Sequence, residues 1–580
     1  MRKFLVVLLI SLVVVSAFAV REFVGAWPYP APNVAHFNIF TTNAVSFGRI
    51  YNELIRLPLA FYIWAEGKYI PILATDWKFE PPDNPKKFIV HLRKGVKWSD
   101  GSEVTSKDVW ASYMIGYIRG WSDWKYIEKV ETPDKYTVVF HLKKPTLLVE
   151  RLILRNSNIA DYKTYGEYAE RIAKLLEEGK DKSSDEMKKL IVEFNDFRPK
   201  EMLANGPFMP DMNNYTEAEA HLIRNPYYYD KETVKFDRIR LINGETAVIT
   251  PLILAKQIDY ATHAFPPATE KQFIAEGIRI IRAPLGSGPA LVFNHSVYPF
   301  NLKEFRQALA YAIDRKQCGF VSMGNSGKGV VYMAGMSDNL VPVWMEKDAI
   351  SKLNRYEYNP KKAEEILLKL GFKKGKDGIW RDDKGNKLEF ELIAPSEWTD
   401  WFAAAENVAS QLNDFGMKIT VRGITWTQVL PTIREGKFQL AIQLWGSGNP
   451  HPYYALYNDF IRMNIEKYRG GIGTNLGMNF PLENVKTDRF GEVNVYDELI
   501  NSVVGTDRNE HVKRITKLAL VFNETLPLIP LWERYGNNPA LDGVRVTGWL
   551  PEGDPIYKNN VYLDNFVTYM ILKGILKPVE

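Results

Sequence analysis

The sequence predicts an α/β protein built as three or four domains or as two large lobes. Three observations predict it. The chain has 580 residues, and a domain takes about 150. Hydrophobic residues are 46% and charged residues 25%, which fits a chain that buries a core. Strand-like and helix-like patterns alternate along the whole length, with no short-period repeat and no low-complexity tract.

The first nineteen residues read as a secretory signal peptide. Arg2 and Lys3 precede an apolar run from Phe4 to Val15, too short to cross a hydrocarbon layer of about 30 Å as a helix. Ser16-Ala17-Phe18-Ala19 then supplies small residues, so cleavage is expected after Ala19. Removing this segment takes away two positive charges and lowers the formal charge from +5 to +3. No cysteine follows the apolar run, so no lipid anchor is expected and the expected address is the periplasm. Phe566 to Leu576 is apolar but short and broken by Lys573 and Gly574, so it is not expected to span a membrane. The single cysteine, Cys318, excludes an intrachain disulfide and a cysteine-based zinc site. A charge this small gives no reason to expect a nucleic-acid or anionic-membrane partner.

Along the mature chain, Phe88, Val90 and Leu92 alternate as on a half-buried strand, and Tyr136 to Leu142 reads as another. Trp98-Ser99-Asp100-Gly101-Ser102 between them reads as a turn. Thr105 and Asp108 fit a capping box. Tyr168 to Phe194 reads as two amphipathic helices, the first ended by Gly179 and the second opened by Ser183 with Glu186. Asn301 and Glu304 open a further helix. Asn359-Pro360 starts the next, which Gly371 ends. Asp377-Gly378 and Lys384-Gly385-Asn386 punctuate a hairpin.

The sequence holds no His-Glu-x-x-His pair, no complete P-loop, no dinucleotide fingerprint and no Gly-x-Ser-x-Gly elbow. No cofactor and no metal are therefore expected, and Cys318 is expected in the core. Glycosidase carboxylates carry no local motif, so a hydrolase is not removed by this search.

Three segments that read as loops mix tryptophan with small polar residues: Gly25-Ala26-Trp27-Pro28-Tyr29-Pro30 running on to Asn43, Trp398-Thr399-Asp400-Trp401, and Trp445 to Tyr453 after a strand at Phe438 to Leu444. An indole face covers the apolar C–H face of a sugar ring, and short polar side chains meet its hydroxyls. Trp27, Trp398, Trp401 and Trp445 are expected to stack on the ligand. Asn43, Asp400, Asn449 and His451 are expected to hydrogen-bond it.

Leu92-Arg93-Lys94-Gly95-Val96-Lys97-Trp98-Ser99-Asp100-Gly101, continuing through Val104 to Val109, resembles a stretch of the family 5 extracellular solute-binding proteins, the oligopeptide- and dipeptide-binding class of bacterial ABC importers. Asn205-Gly206-Pro207-Phe208, Arg224 to Tyr228, Phe305 to Arg315, Asn359 to Phe372 and Leu526 to Leu531 follow in that family's order. The resemblance implies a type II periplasmic-binding-protein fold: two lobes on a hinge, a ligand enclosed between them, and an extra domain on the first lobe. Mapped here, residues 20–55, 200–295 and 520–580 form a discontinuous domain I, 56–199 domain II, and 296–519 the second lobe. It also implies an ABC permease as partner and a monomeric, non-enzymatic protein.

Peptide binders of the family usually carry Asp-Pro after the equivalent of Trp445, the carboxylate holding the peptide's α-amino group. His451-Pro452 stands there instead. Leaving a buried ammonium without its counter-charge costs about 3 kcal/mol or more. The Trp398–Trp401 segment and the Gly-Ala-Trp start resemble the oligosaccharide-binding subgroup, similar to cellobiose-binding proteins of thermophilic bacteria. A binder of neutral, β-linked di- to oligosaccharides is therefore expected. The alternatives are a peptide binder that uses another acid such as Asp400, and an exported glycoside hydrolase.

Overall fold

A computed structural model describes residues 20–580 except 33–34, 83 and 471–472. The expected signal peptide lies outside the described residues.

The first lobe is organised by a seven-stranded sheet in the order Arg279–Ile281, Asn538–Ala540, Tyr260–Ala261, Glu22–Trp27, Arg238–Asn243, Glu219–Arg224, Phe208–Tyr215. Its central strand Glu22–Trp27 runs parallel to both neighbours and delivers Trp27 to the sheet's edge with the rest of the molecule. Gly25 is required there, because a β-carbon would sit 2.3 Å from the Tyr51 hydroxyl. A four-stranded antiparallel sheet, Ala74–Glu80, Lys87–Leu92, Thr137–Leu142 and Ile127–Asp134, joins the same lobe and shares its core.

Helix Ser106–Ile118 starts with the expected capping box of Thr105 and Asp108. Asp108 does more than cap. Its carboxylate also accepts from Trp98 Nε1 at 3.2 Å and from Tyr162 N at 2.7 Å. One buried acid thus ties the 98–101 turn to the starts of two helices, which gives this motif a structural role. Gly101 completes the turn at φ +85°.

The second lobe is built on a five-stranded sheet in the order Lys418–Ile424, Glu389–Pro395, Leu440–Gly446, Ser287–Phe293, Leu528–Pro530, with its own core. Two strands from the ranges expected in domain I pair into this sheet: Ser287–Phe293 pairs with all seven residues of Leu440–Gly446, and Leu528–Pro530 pairs with Ser287–Phe293 on its other side. Helix Arg508–Thr525, which starts in the range expected for the second lobe, packs on the same core and runs past the expected boundary at 519. Ser287–Phe293 is buried on both faces here, as its apolar run requires.

The chain crosses between lobes twice, at Ala283–Gly286 and Arg534–Gly536. The crossings pair with each other: Leu285 N donates to Arg534 O at 2.9 Å and Gly536 N to Ala283 O at 2.8 Å. Glu533 pins this two-stranded hinge from behind, accepting from Gly286 N at 3.2 Å and the Ser337 hydroxyl at 2.8 Å.

Smaller departures from the expected elements have local causes. The helix Asp185–Asp196 is capped by Ser184, which accepts from Met187 N, because Ser183 Oγ is spent on Asp181. Helix Lys303–Ala312 begins without a side-chain cap, so Asn301 does not open it. Asn359 caps Pro360–Lys369 as the spacing predicts. Trp398 to Trp401 is not a loop: Trp398 is the N-cap of helix Thr399–Phe415. Cys318 is buried in helix Arg315–Met323, where burial pushes its thiol up to about 12. No helix among the described residues is long and apolar enough to cross a membrane.

Candidate functional site

Two cavities open between the lobes. The larger is an open cleft of about 840 Å³. Its first-lobe wall carries Trp27, Tyr29, Arg49 and Tyr562, and its second-lobe wall carries Trp398, Thr399 and Asp400. Trp27 stands edge-on to Tyr562, ring centres 6.3 Å apart at 89°, which fixes the plane of its indole. Trp398 lies flat on Trp426 at 3.7 Å and 22°. Trp401 meets both of those indoles edge-on, at 4.9 and 5.7 Å. The cleft therefore presents one partly exposed indole from each lobe. Asp400 Oδ2 is 4.0 Å from Arg534 Nη1 at the hinge, so its charge is met within the protein.

The smaller cavity is a chamber of about 390 Å³ between the 60–152 part of the first lobe and the second lobe. Tyr62, Tyr69 and Trp77 line it from one side, Trp344 and Tyr454 from the other. Tyr69 meets Trp77 edge-on at 6.0 Å and leans on Tyr62 at 4.6 Å, so these rings form one surface. The hydroxyls of Tyr62, Tyr69 and Tyr454 have no hydrogen-bond partner among the described residues. Around them stand Lys68, Glu150, Arg151 and Arg508. Arg151 is committed to Asp564 at 2.7 Å, and the Arg508 guanidinium lies over the Trp344 ring at 4.2 Å. Such a lining, mostly ring faces with a few placed polar atoms, is that of a small-molecule site.

Of the residues expected from the sequence, Trp27, Trp398 and Asp400 line the cleft, and Asn449 and His451 line the chamber. Asn449 Oδ1 accepts from His451 N at 3.0 Å and shapes the turn, while its amide nitrogen has no partner among the described residues. The ring nitrogens of His451 are not free for a ligand. Nδ1 accepts from Tyr453 N at 3.2 Å, and Nε2 faces His511 Nδ1 at 3.2 Å. His511 Nε2 then bonds Gly505 O at 2.9 Å. That order of bonds requires both rings neutral. Burial, with His511 and Arg508 nearby, holds His451 well below the usual histidine range. Gly505 N in turn donates to Pro145 O at 2.9 Å, a direct tie between the lobes. His451 is thus a strut behind the chamber wall.

Three further expectations are corrected. Trp445 is fully buried beneath the sheet, its Nε1 donating to Trp532 O at 3.2 Å, because it points from a central strand into the core. Trp401 is 4% exposed and braces Trp398 rather than presenting a face. Asn43 is exposed in the 36–45 turn at φ +63° and lines neither cavity. The residues the sequence did not single out are Tyr62, Tyr69, Trp77, Glu150, Trp344 and Tyr454. They come from four separate stretches, and no local pattern marks them.

Comparison with known proteins agrees with this architecture. Residues 68–465 match the family described as bacterial extracellular solute-binding proteins, family 5 Middle. A probable ABC transporter-binding protein of Deinococcus radiodurans is 24% identical over 424 residues, covering 67% of this chain and 68% of that one. The crystal structure of a periplasmic oligopeptide-binding protein of an oligopeptide ABC transporter from Thermotoga maritima superposes with a TM-score of 0.73 at 19% identity, covering 96% of this chain and 99% of that one. A mannohexaose-bound structure from the same organism superposes at 0.65 and 18%, covering 97% and 99%. The two lobes and their double crossover are those of the type II periplasmic binding proteins. Matched over more than half its length, the chain belongs to the family 5 bacterial extracellular solute-binding proteins.

Proposed function

We propose that this protein captures an uncharged oligosaccharide between its lobes and presents it to an ABC permease. The coarser statement, the solute-binding component of an ABC importer, follows from the family. The observation that carries the carbohydrate reading is the chamber: ring faces around about 390 Å³, with phenol hydroxyls and an amide left unpartnered. Those atoms donate to and accept from hydroxyls, and the rings cover C–H faces. The cleft adds one indole from each lobe. The Thermotoga maritima protein bound to mannohexaose shows that a chain of this fold holds a neutral saccharide.

A peptide reading draws support from relatives named for oligopeptides. Two of the cleft's acids are engaged, however: Asp400 lies 4.0 Å from Arg534, and Glu397 accepts from Trp426 N at 2.9 Å. An ammonium would have to use Glu245 in the cleft or Glu150 in the chamber. Ligand contacts made from both lobes favour the closed form, since only that form satisfies both sides of the ligand.

A thermal-shift screen of β-linked gluco- and manno-oligosaccharides beside mixed peptides tests the reading. A ligand at 100 times its Kd adds about 2.7 kcal/mol of stability. A rise in melting temperature with sugars and none with peptides is expected; the reverse removes the proposal. Tyr454→Phe, which deletes one unpartnered hydroxyl, should weaken the sugar by about 0.5–1.5 kcal/mol without changing the fold. Titration calorimetry checks this, and an unchanged affinity takes Tyr454 off the ligand.

A further inference from the structure

The chamber contains one acid whose position the architecture does not otherwise require. Glu150 lies in the first turn of the short helix Leu148–Leu154 and lines the chamber. Its Oε1 accepts from Trp77 Nε1 at 2.9 Å, which fixes the carboxylate's orientation. Its Oε2 has no partner, and the side chain makes no ion pair, among the described residues. The chamber's guanidinium groups are placed elsewhere, Arg151 on Asp564 and Arg508 on the Trp344 face.

A half-buried carboxylate with one oxygen oriented by an indole and the other unpartnered is costly unless something donates to it. Its surroundings say what that donor is. Facing it across the chamber, the second lobe offers uncharged groups, Tyr454 and Asn449 among them, and one cation, Arg508, whose guanidinium lies over the Trp344 ring and makes no ion pair with Glu150. A pyranose laid on the rings carries pairs of adjacent hydroxyls, and a carboxylate can accept from two at once in charge-assisted bonds. We propose that Glu150 is the ligand-selecting residue of the chamber, accepting from two adjacent ring hydroxyls of a bound saccharide while the second lobe holds its other edge. Glu150 then makes the saccharide a bridge between lobes. Trp77 is its positioning residue. This assignment rests on the carbohydrate reading above.

Burial raises the Glu150 pKa, offset in part by the Trp77 hydrogen bond and by Arg508, so acid should convert the acceptor to its neutral form. Lys68, Arg151, Arg508 and His451 face the same space, and of these only His451 changes charge in mild acid in ordinary surroundings; here it is held neutral.

Titration calorimetry of the full chain and of Glu150→Gln, with cellobiose and with mannohexaose, tests the proposal. Glutamine keeps the bond from Trp77 and loses the charge. Weakening of roughly 10- to 100-fold is expected for the variant, with an unchanged melting temperature in the absence of sugar. The wild-type affinity should fall as the solution is acidified, and the variant's should not. If the wild type binds sugar and Glu150→Gln binds it equally, with the same pH profile, the role of Glu150 is overturned and the carbohydrate reading stands. If the wild type binds neither sugar, the carbohydrate reading is overturned, and the role of Glu150 falls with it. If the variant loses a primary amine or a peptide and no sugar, Glu150 is an ammonium site and the proposal is wrong.

Discussion

Replacing Trp445 by alanine should lower the stability of the second lobe by about 3–5 kcal/mol and leave any sugar bound by the folded protein nearly as tightly held. The indole is completely enclosed, and its only polar atom already has an acceptor in Trp532 O. It packs against a close crossing of strands, where Gly288 is so near the backbone that a β-carbon would lie 2.0 Å from Trp532 O. The close backbone crossing resists collapse into the space a truncated side chain would leave, so the cavity cost is retained. Calorimetry should show the loss in the second-lobe transition. Normal melting with lost sugar affinity would instead place this indole at the ligand.

Replacing Asp564 by alanine should cost a similar amount, about 3–5 kcal/mol, in the first lobe. Asp564 is fully buried, with Oδ2 2.7 Å from Arg151 Nη2 and Oδ1 2.6 Å from Arg155 Nε. Trp64 Nε1 donates to it as well, at 2.6 Å. Arg155 also pairs with Glu53 at 2.6 Å. Removing Asp564 leaves two guanidinium groups with little water and one remaining acid between them. Burial alone would raise the Asp564 pKa, but Arg151 and Arg155 outweigh it and the pKa is lowered. Its contribution is therefore fully present above the unfolded value near ~3.9 and is lost as pH falls through the lower folded value. The wild type should thus melt well above Asp564→Ala at neutral pH, and the gap should close in strong acid. A constant gap across that range would mean that the charge contributes nothing.

What the sequence disclosed divides along a physical line. Local chemistry was legible. The Thr105–Asp108 capping box, the Asn359 cap and the turns at Gly101 and Gly371 each depend on a few adjacent residues. Assembly was less so. The resemblance alone places residues 287–293 with domain I, and it is the pairing of Ser287–Phe293 with Leu440–Gly446 that puts this strand in the second lobe's sheet. Trp398-Thr399-Asp400-Trp401 reads as a loop because its polar residues suit one, yet the helix it opens is held by the tertiary contact of Trp398 with Trp426.

The cleft was partly visible because aromatic residues crowd together in sequence near Trp27 and Trp398. Of the chamber, only the Asn449–His451 turn was marked in the sequence. Tyr62, Glu150, Trp344 and Tyr454 meet only when two lobes close on each other. The same logic misassigned Trp445 and His451: composition says that a residue suits a ligand, whereas the fold decides whether it faces one.

The most direct test of the whole account is a crystal structure of the protein grown with a β-linked disaccharide. The account predicts a pyranose inside the chamber, flat against its rings, with hydroxyls within hydrogen-bond distance of Glu150, Tyr454 and the Asn449 amide. A peptide in that space, or sugar bound only outside both interlobe cavities, would contradict it.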